Sequence, residues 1–427
     1  MNNRDALRHA NKKKLGNDLI KMALFAVIAM FVALAVIWYV GTVVAPDERE
    51  PVVALAIYDE ETTTPTEYQP LFEDDYTVRR GEEAPDAPPA VGINHVEAGG
   101  HFELPIYGAT AWAAATTPLR SGAAASASAV QSLSPGTGFT ILNTHGTWWY
   151  VQLGSGTTGW VDHRATFINL PDVLPSIVYS NTNASGSVKR SLGLDIPGVT
   201  GEVLHSAWGY NPRLGRYEYI VPGMYALARS LFDVQQHALS MGDTLIINEV
   251  FRPRETQNAS VQGMNRLISQ NDDVRRAIND GPWSLGHFIS TGVSNHQRGA
   301  AVDASLGRIS EYEYVQTGDY VFRRITIFRE YFMQTEIHEL SPRSAIFESP
   351  RSATAAQMRT GELPMRQDVT PGTRALQYAF GVGGFTPLSS EWWHFNHPNS
   401  VAIANSVGVT GNFFTPTIYS VPPEHRS

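Results

Sequence analysis

Two short stretches hold the residues whose types and spacing could do chemistry. SNHQRGAAVDASL, residues 294–306, sets His296 and Asp303 seven positions apart, across Gly299 and small apolar residues. SEWWHFNH, residues 390–397, supplies Glu391, His394 and His397 among Trp392, Trp393 and Phe395. Taken singly, each reads equally as a hydrogen-bonded turn or an aromatic edge strand. Taken together, they offer two histidines and a carboxylate, a frequent ligand set for a catalytic zinc that keeps one position open. Glu391 is then the spare carboxylate, able to act as base on a water beside the ion. His397, which forms HxxH with His394, is the competing ligand. On a regular strand residues i and i+3 face opposite sides, so Glu391 is expected in a loop or bulge just before an EWWHF strand.

The chain limits the alternatives. It has 427 residues, enough for two or three domains, and no cysteine, which excludes disulfides and thiolate metal sites. Any metal must use His, Asp or Glu. The formal net charge of −9 argues against a nucleic-acid partner, which calls for a basic patch.

Residues 22–45, MALFAVIAMFVALAVIWYVGTVVA, are uncharged and almost wholly apolar, long enough to span a bilayer. Arg4, Arg8, Lys12, Lys13, Lys14 and Lys21 precede them, and Asp47, Glu48 and Glu50 follow. The charge asymmetry predicts a single-pass membrane anchor with residues 1–21 in the cytoplasm and everything after the span outside. A cleaved signal peptide is the competing reading, with an unusually long apolar region and a poor cleavage site before Pro46. Residues 46–105 read as an acidic Pro/Thr-rich linker, too polar in its first stretch to bury a core.

Residues 106–170 carry short runs of strand length, FTIL, WWYVQL and TGWV, between the turn clusters SPGTG, THG and GSGTTG. That pattern predicts a small all-β barrel. Leu119-Arg120-Ser121-Gly122, Leu133-Ser134-Pro135-Gly136-Thr137, Trp149-Tyr150-Val151-Gln152-Leu153 and Gly159-Trp160-Val161 resemble the bacterial SH3-like domain. The resemblance implies cell-wall binding.

LPDVLPS, residues 170–176, reads as a linker to a large domain over 177–420. VPGMYALARSLFDVQQHALSMG predicts a helix with Pro222 in its first turn and Met224, Leu227, Ala228, Leu231 and Val234 on one face. TLIINEVF, 244–251, reads as a strand, ASVQGMNRLISQNDDVRRAIND as polar helix, AAVDASL, 300–306, as a central strand, and TRALQYAFGVGGF as a helix. The fold class is α+β, an antiparallel sheet with flanking helices, joined to the barrel and one transmembrane helix.

Ser294, His296, Gly299, Ala301 and Asp303 meet the pattern SxHxxGxAxD in full, and EWWH follows at 391–394. The pairing resembles the zinc D-alanyl-D-alanine dipeptidase/carboxypeptidase family, and the double tryptophan its vancomycin-resistance dipeptidase branch. The resemblance implies one catalytic zinc on His296, Asp303 and His394, with Glu391 as general base and then proton donor to the leaving amine. It makes Arg252, in Phe251-Arg252-Pro253, the stabiliser of the oxyanion, ahead of Arg254. Gly384-Phe385 also fits, and Ser294 would support substrate binding or the metal's surroundings. Asp303 and Glu391 are 88 positions apart, long for the family. The insert contains IHELSPRSAIFESPRSA, residues 337–353, where an acidic residue would meet a substrate ammonium; Glu339 is the candidate. His205, His237, His287 and His338 read as structural or exposed.

The expectation is a membrane-anchored, extracytoplasmic D,D-carboxypeptidase acting on peptidoglycan stem peptides, touching the wall through its barrel and the membrane through residues 22–45. A D-Ala-D-Ala dipeptidase, a peptidoglycan endopeptidase and a non-catalytic zinc-containing wall-binding module are the alternatives.

Overall fold

The computed structural model describes residues 92–279, 281–415 and 417–426. The predicted tail, membrane span and linker as far as residue 91 lie outside the described residues. Among those described, no helix is long and apolar enough to cross a membrane.

The predicted barrel forms from alternation. Phe139, Ile141, Trp149, Val151, Leu153, Val161, Leu119 and Leu133 turn inward, while their neighbours face solvent or the rim. Strands Ala129–Leu133, Thr117–Arg120, Thr158–Asp162, Trp148–Leu153, Gly138–His145, Thr110–Ala113 and Thr166–Asn169 pair in that spatial order. An eighth strand, Pro222–Met224, closes the sheet against Thr166–Asn169, with Gly223 opposite Ile168 and Met224 opposite Phe167. Pro222 therefore does not open the following helix as the periodicity predicted. Lacking an N–H, it sits on a sheet edge, and the helix begins only at Tyr225. That helix, Tyr225–Ser240, buries Leu227, Ala228, Leu231 and Val234 as expected.

Both predicted linkers need correction near the barrel. In the 92–105 stretch Phe102 packs beside the rings of Tyr225 and Phe232, and Leu104 is fully buried. LPDVLPS is buried from end to end and forms a helical turn at Leu170–Val173. Its Asp172 carboxylate accepts hydrogen bonds from Thr110 N at 2.8 Å and Asn211 Nδ2 at 2.6 Å. Two prolines made the segment look like a connector, but its apolar residues are core and its one charge is satisfied.

The second sheet holds the candidate site. Its order is Thr386–Leu388, Glu391–Asn396, Ala301–Thr317, Asp243–Glu249, Val178–Tyr179, and Tyr320–Glu330 pairs with the outer half of Ala301–Thr317. The pairings are antiparallel, as predicted, except that Val178–Tyr179 runs parallel to Asp243–Glu249. Helices Tyr225–Ser240, Arg254–Gln270 and Pro371–Val382 bury their apolar sides around it. About a third of the long stretch between Asp303 and Glu391 is the hairpin of the 301–317 and 320–330 strands, whose outer part exposes Tyr312 and Tyr314.

Candidate metal centre

Strand register assembles the site. Asp303 lies opposite Glu249 on one side and opposite His394 on the other. Paired residues on neighbouring strands project to the same face, so three chemically active side chains stand in a row. His296 comes from the turn before the central strand. The turn needs Gly299 at φ +59°, and its ideal Cβ position falls 2.6 Å from the Phe167 ring of the barrel. Gly299 O also accepts a hydrogen bond from Met224 N at 2.9 Å.

His296 Nε2, Asp303 Oδ1 and His394 Nδ1 converge at 3.1, 3.0 and 3.0 Å from one another. The other ring nitrogens are already spoken for. His296 Nδ1 faces Val250 O at 2.8 Å, and His394 Nε2 faces Asn396 Oδ1 at 3.2 Å. Each acceptor places the ring proton on that side, which leaves a lone pair on each inward nitrogen. Two lone pairs and a carboxylate oxygen pointed at one spot repel unless a cation lies between them. The spacing also suits ligands about 2 Å from a single ion. The donor set therefore fits zinc, with no cysteine involved.

Glu391 begins its strand at an irregularity in the hairpin, with Leu388 opposite it, and brings Oε2 to 3.7 Å from His394 Nδ1. Glu391 is not in a loop before the strand as expected but is its first residue, and the irregularity lies in the pairing, where the register shifts between Pro387 and Leu388. Burial pushes Glu391 up to about 8, with His394 opposing that rise and Asp303 adding to it. Burial would also raise Asp303, but the imidazoles around it, His296 first and then His338 and His394, hold it well below the usual carboxylate range.

Arg252 lies behind the trio. Its Nε donates to Glu249 Oε2 at 2.7 Å, Nη2 donates to the same oxygen, and Nη1 donates to Gln257 Oε1 at 2.8 Å. Nη2 also lies 3.4 Å from Asp303 Oδ2. Arg254 is exposed at the start of its helix.

Two groups here were missed. Glu249 was read only as part of an apolar strand, although one acid inside TLIINEVF demands a buried partner and was a usable signal. Burial works against its ionisation, but Arg252 and Lys189 together hold it far below its ordinary range. His338, read as structural or exposed, is 1% exposed and puts Nε2 3.1 Å from Asp303 Oδ2. Burial lowers it to about 4, so it is neutral. Its φ of +63° is rare for a non-glycine residue, and its carbonyl is held by Arg190 N at 3.1 Å. Glu249, Asp303 and His338 form a second close acid–histidine trio, but the Arg252 guanidinium already contacts both of its carboxylates.

Other predicted residues fall elsewhere. His397 caps helix Pro398–Val407, with Nδ1 2.7 Å from Ser400 Oγ and Nε2 3.0 Å from Ser230 Oγ, and so is committed outside the trio. Ser294 lines the cavity, and its hydroxyl accepts from Gln297 N at 3.3 Å. Glu339 corrects the prediction of an ammonium partner. Its carboxylate accepts from Leu192 N at 2.6 Å, Gly193 N at 3.0 Å and the Ser341 hydroxyl, and it does not line the cavity. That cavity, about 210 Å³, is walled by His296, Asp303, His394, Glu391, Arg252 and Lys189 together with apolar Phe288, Ile289, Leu388 and Trp393.

Comparison with known proteins agrees with both domains. Residues 115–166 match the bacterial SH3 domain family, and residues 223–409 match the family described as D-ala-D-ala dipeptidase. A D-alanyl-D-alanine dipeptidase of Enterococcus faecium is 27% identical over 193 residues, covering 42% of this chain and 77% of that protein.

Proposed function

We propose that this chain, a bacterial SH3 domain followed by a D-ala-D-ala dipeptidase-type peptidase domain, is a zinc D,D-carboxypeptidase that removes the terminal D-alanine from peptidoglycan stem peptides. The observation that carries the hydrolytic reading is the convergence of His296, Asp303 and His394 beside Glu391. Zinc held there would supply a Lewis acid and acidify water. Glu391 is placed to take the proton from the attacking water and to return it to the leaving amine. Arg252, fixed by Glu249 and Gln257, is the positive charge available to the developing oxyanion.

Two considerations support a carboxypeptidase over a dipeptidase. Among the described residues the carboxylates lining the cavity are Asp303 and Glu391, and each has a task, so a free substrate ammonium finds no further anionic partner among them. The apolar 22–45 segment, with its basic residues before and acidic residues after, supports an anchored, outward-facing enzyme in contact with wall peptides. The dipeptidase activity for which the Enterococcus faecium relative is named favours the dipeptidase as the second reading.

The test incubates the zinc-loaded full chain with a muramyl pentapeptide and, separately, with D-Ala-D-Ala, and follows D-alanine release by mass spectrometry. Release from the pentapeptide supports the carboxypeptidase. Release from the dipeptide alone would replace it with the dipeptidase. Larger fragments would indicate an endopeptidase, and no product from either substrate would leave a zinc-containing binding module.

A further inference from the structure

We infer that Asn295, anchored by Arg298, is a positioning residue that fixes which ring nitrogen of His394 is free to meet a metal. The inference deepens the zinc peptidase reading above and rests on it.

Asn295 and Arg298 belong to the turn that carries His296. Asn396 lies two residues beyond His394 on the strand Glu391–Asn396, so both side chains leave the same face. Four side chains then form one directed chain of hydrogen bonds. Arg298 Nη1 donates to Val293 O at 2.5 Å and to Asn295 Oδ1 at 3.2 Å. Asn295 Nδ2 donates to Asn396 Oδ1 at 2.7 Å. The same Oδ1 lies 3.2 Å from His394 Nε2.

A side-chain amide can turn end for end and exchange its donor with its acceptor. A guanidinium cannot, because it only donates. Arg298 therefore calls for the oxygen of Asn295, which points the Asn295 amide nitrogen at Asn396. Asn396 answers with its own oxygen, and His394 donates to that oxygen. The ring proton sits on Nε2, and Nδ1 keeps the lone pair that faces His296 and Asp303. With the Asn396 amide reversed, the proton would move to Nδ1, into the place a metal ion would take. The turn that delivers one ligand thereby sets the proton position of another.

The test measures zinc affinity of the full chain by competition with a chromogenic chelator. No substrate is present, because Asn295 and Asn396 both line the cavity. Asn295→Asp keeps the size of the side chain and an acceptor for Arg298 but removes the donor. The Asn396 amide must then turn its nitrogen to the new carboxylate and to His394 Nε2. Zinc affinity should fall about 10- to 100-fold. Asn295→Ala removes the donor without forcing that turn and should lose less. A packing role gives the reverse order, since aspartate is nearer to asparagine in shape than alanine is. A loss in Asn295→Ala equal to or greater than that in Asn295→Asp overturns the proposal. Selective 15N labelling of histidine in the metal-free chain at alkaline pH reads the switch directly. The His394 proton is expected on Nε2 in wild type and on Nδ1 in Asn295→Asp, and its staying on Nε2 in both overturns the proposal as well. Should Asn295→Asp not fold, the partner position decides. Asn396→Asp accepts from both neighbours in either orientation and should hold the wild-type affinity, whereas Asn396→Leu should lose about 10- to 100-fold. Equal losses in those two variants overturn the proposal. A wild type that binds no zinc removes the metal reading itself, a result distinct from a zinc-binding chain indifferent to residue 295.

Discussion

Asp303 and His338 are 35 positions apart in sequence, and His338 Nε2 lies 3.1 Å from Asp303 Oδ2. The other oxygen, Oδ1, faces His296 and His394. The neutral imidazole donates to one oxygen of the carboxylate and leaves the other facing the inward ring nitrogens of His296 and His394. A zinc ion held there would share the carboxylate with a protein donor.

His338→Phe removes that donor and is expected to weaken zinc binding about 10- to 100-fold, with His338→Gln retaining part of the affinity. Competition with a chromogenic chelator measures it independently of turnover. Unchanged affinity in both variants would show that Asp303 does not depend on His338.

Glu391→Gln keeps the shape of the base and removes its proton chemistry. Zinc content should match wild type, while kcat falls about 10²- to 10⁴-fold. Metal analysis and steady-state kinetics on one preparation separate the two effects. Loss of zinc together with activity would instead make Glu391 part of the metal's holding set.

Arg252 has a structural and a chemical task, and two variants divide them. Arg252→Ala leaves Glu249, fully buried, short of its main partner and should destabilise the protein by about 3–5 kcal/mol. Arg252→Lys keeps a charge but loses the planar fork, so kcat should fall about 10²- to 10³-fold with a smaller change in stability. Urea denaturation alongside kinetics tests the division.

Glu103 gives a pH dependence well away from the metal. Burial pushes it up to about 7 from an ordinary 4.5, against hydrogen bonds from Ser176 and Gln236. Between those values the folded chain holds a proton that the unfolded chain has released. Stability from this group is therefore highest at the acid end, falls as pH rises through the window, and is flat above it. The difference, about 7 less 4.5, amounts to roughly 3 kcal/mol. Glu103→Gln should remove that slope, read as the variant-minus-wild-type difference in unfolding free energy at pH 5 and pH 8.

Gly299→Ala tests the contact between the metal-binding turn and the barrel. The added methyl meets a φ of +59° and the Phe167 ring at 2.6 Å. Backbone strain alone should cost roughly 1–3 kcal/mol, with overlap adding to it. A fall in both melting temperature and zinc affinity is expected, and Phe167→Ala in the same chain should restore part of the affinity.

The elements were legible wherever the pattern was local. Alternation in WWYVQL and TGWVD marked barrel strands, and the stripe from Leu227 to Val234 marked a helix. The residues of the metal trio could be read because they sit in two compact motifs. What escaped was set by contacts distant in sequence. Asp172 looked like linker polarity because Thr110 and Asn211, its partners, are 62 and 39 positions away. Glu339 looked available because nothing near it revealed that Leu192 and Gly193 would cap it from 147 and 146 positions upstream. Pro222 suited both a helix start and a sheet edge, and only the presence of the Thr166–Asn169 strand decides between them. His338 carried no local signal, because its role is defined by where Asp303 lies.

The Pro222–Met224 strand belongs to the barrel's sheet, and its last residue hydrogen-bonds the turn that carries His296. No slack lies between the two domains, so barrel and pocket share one heading. If the barrel seats on the wall, it acts as a ruler and not as a leash. The pocket would then address stem peptides at one offset from each point of attachment, and the geometry of the wall would select which bonds are cut.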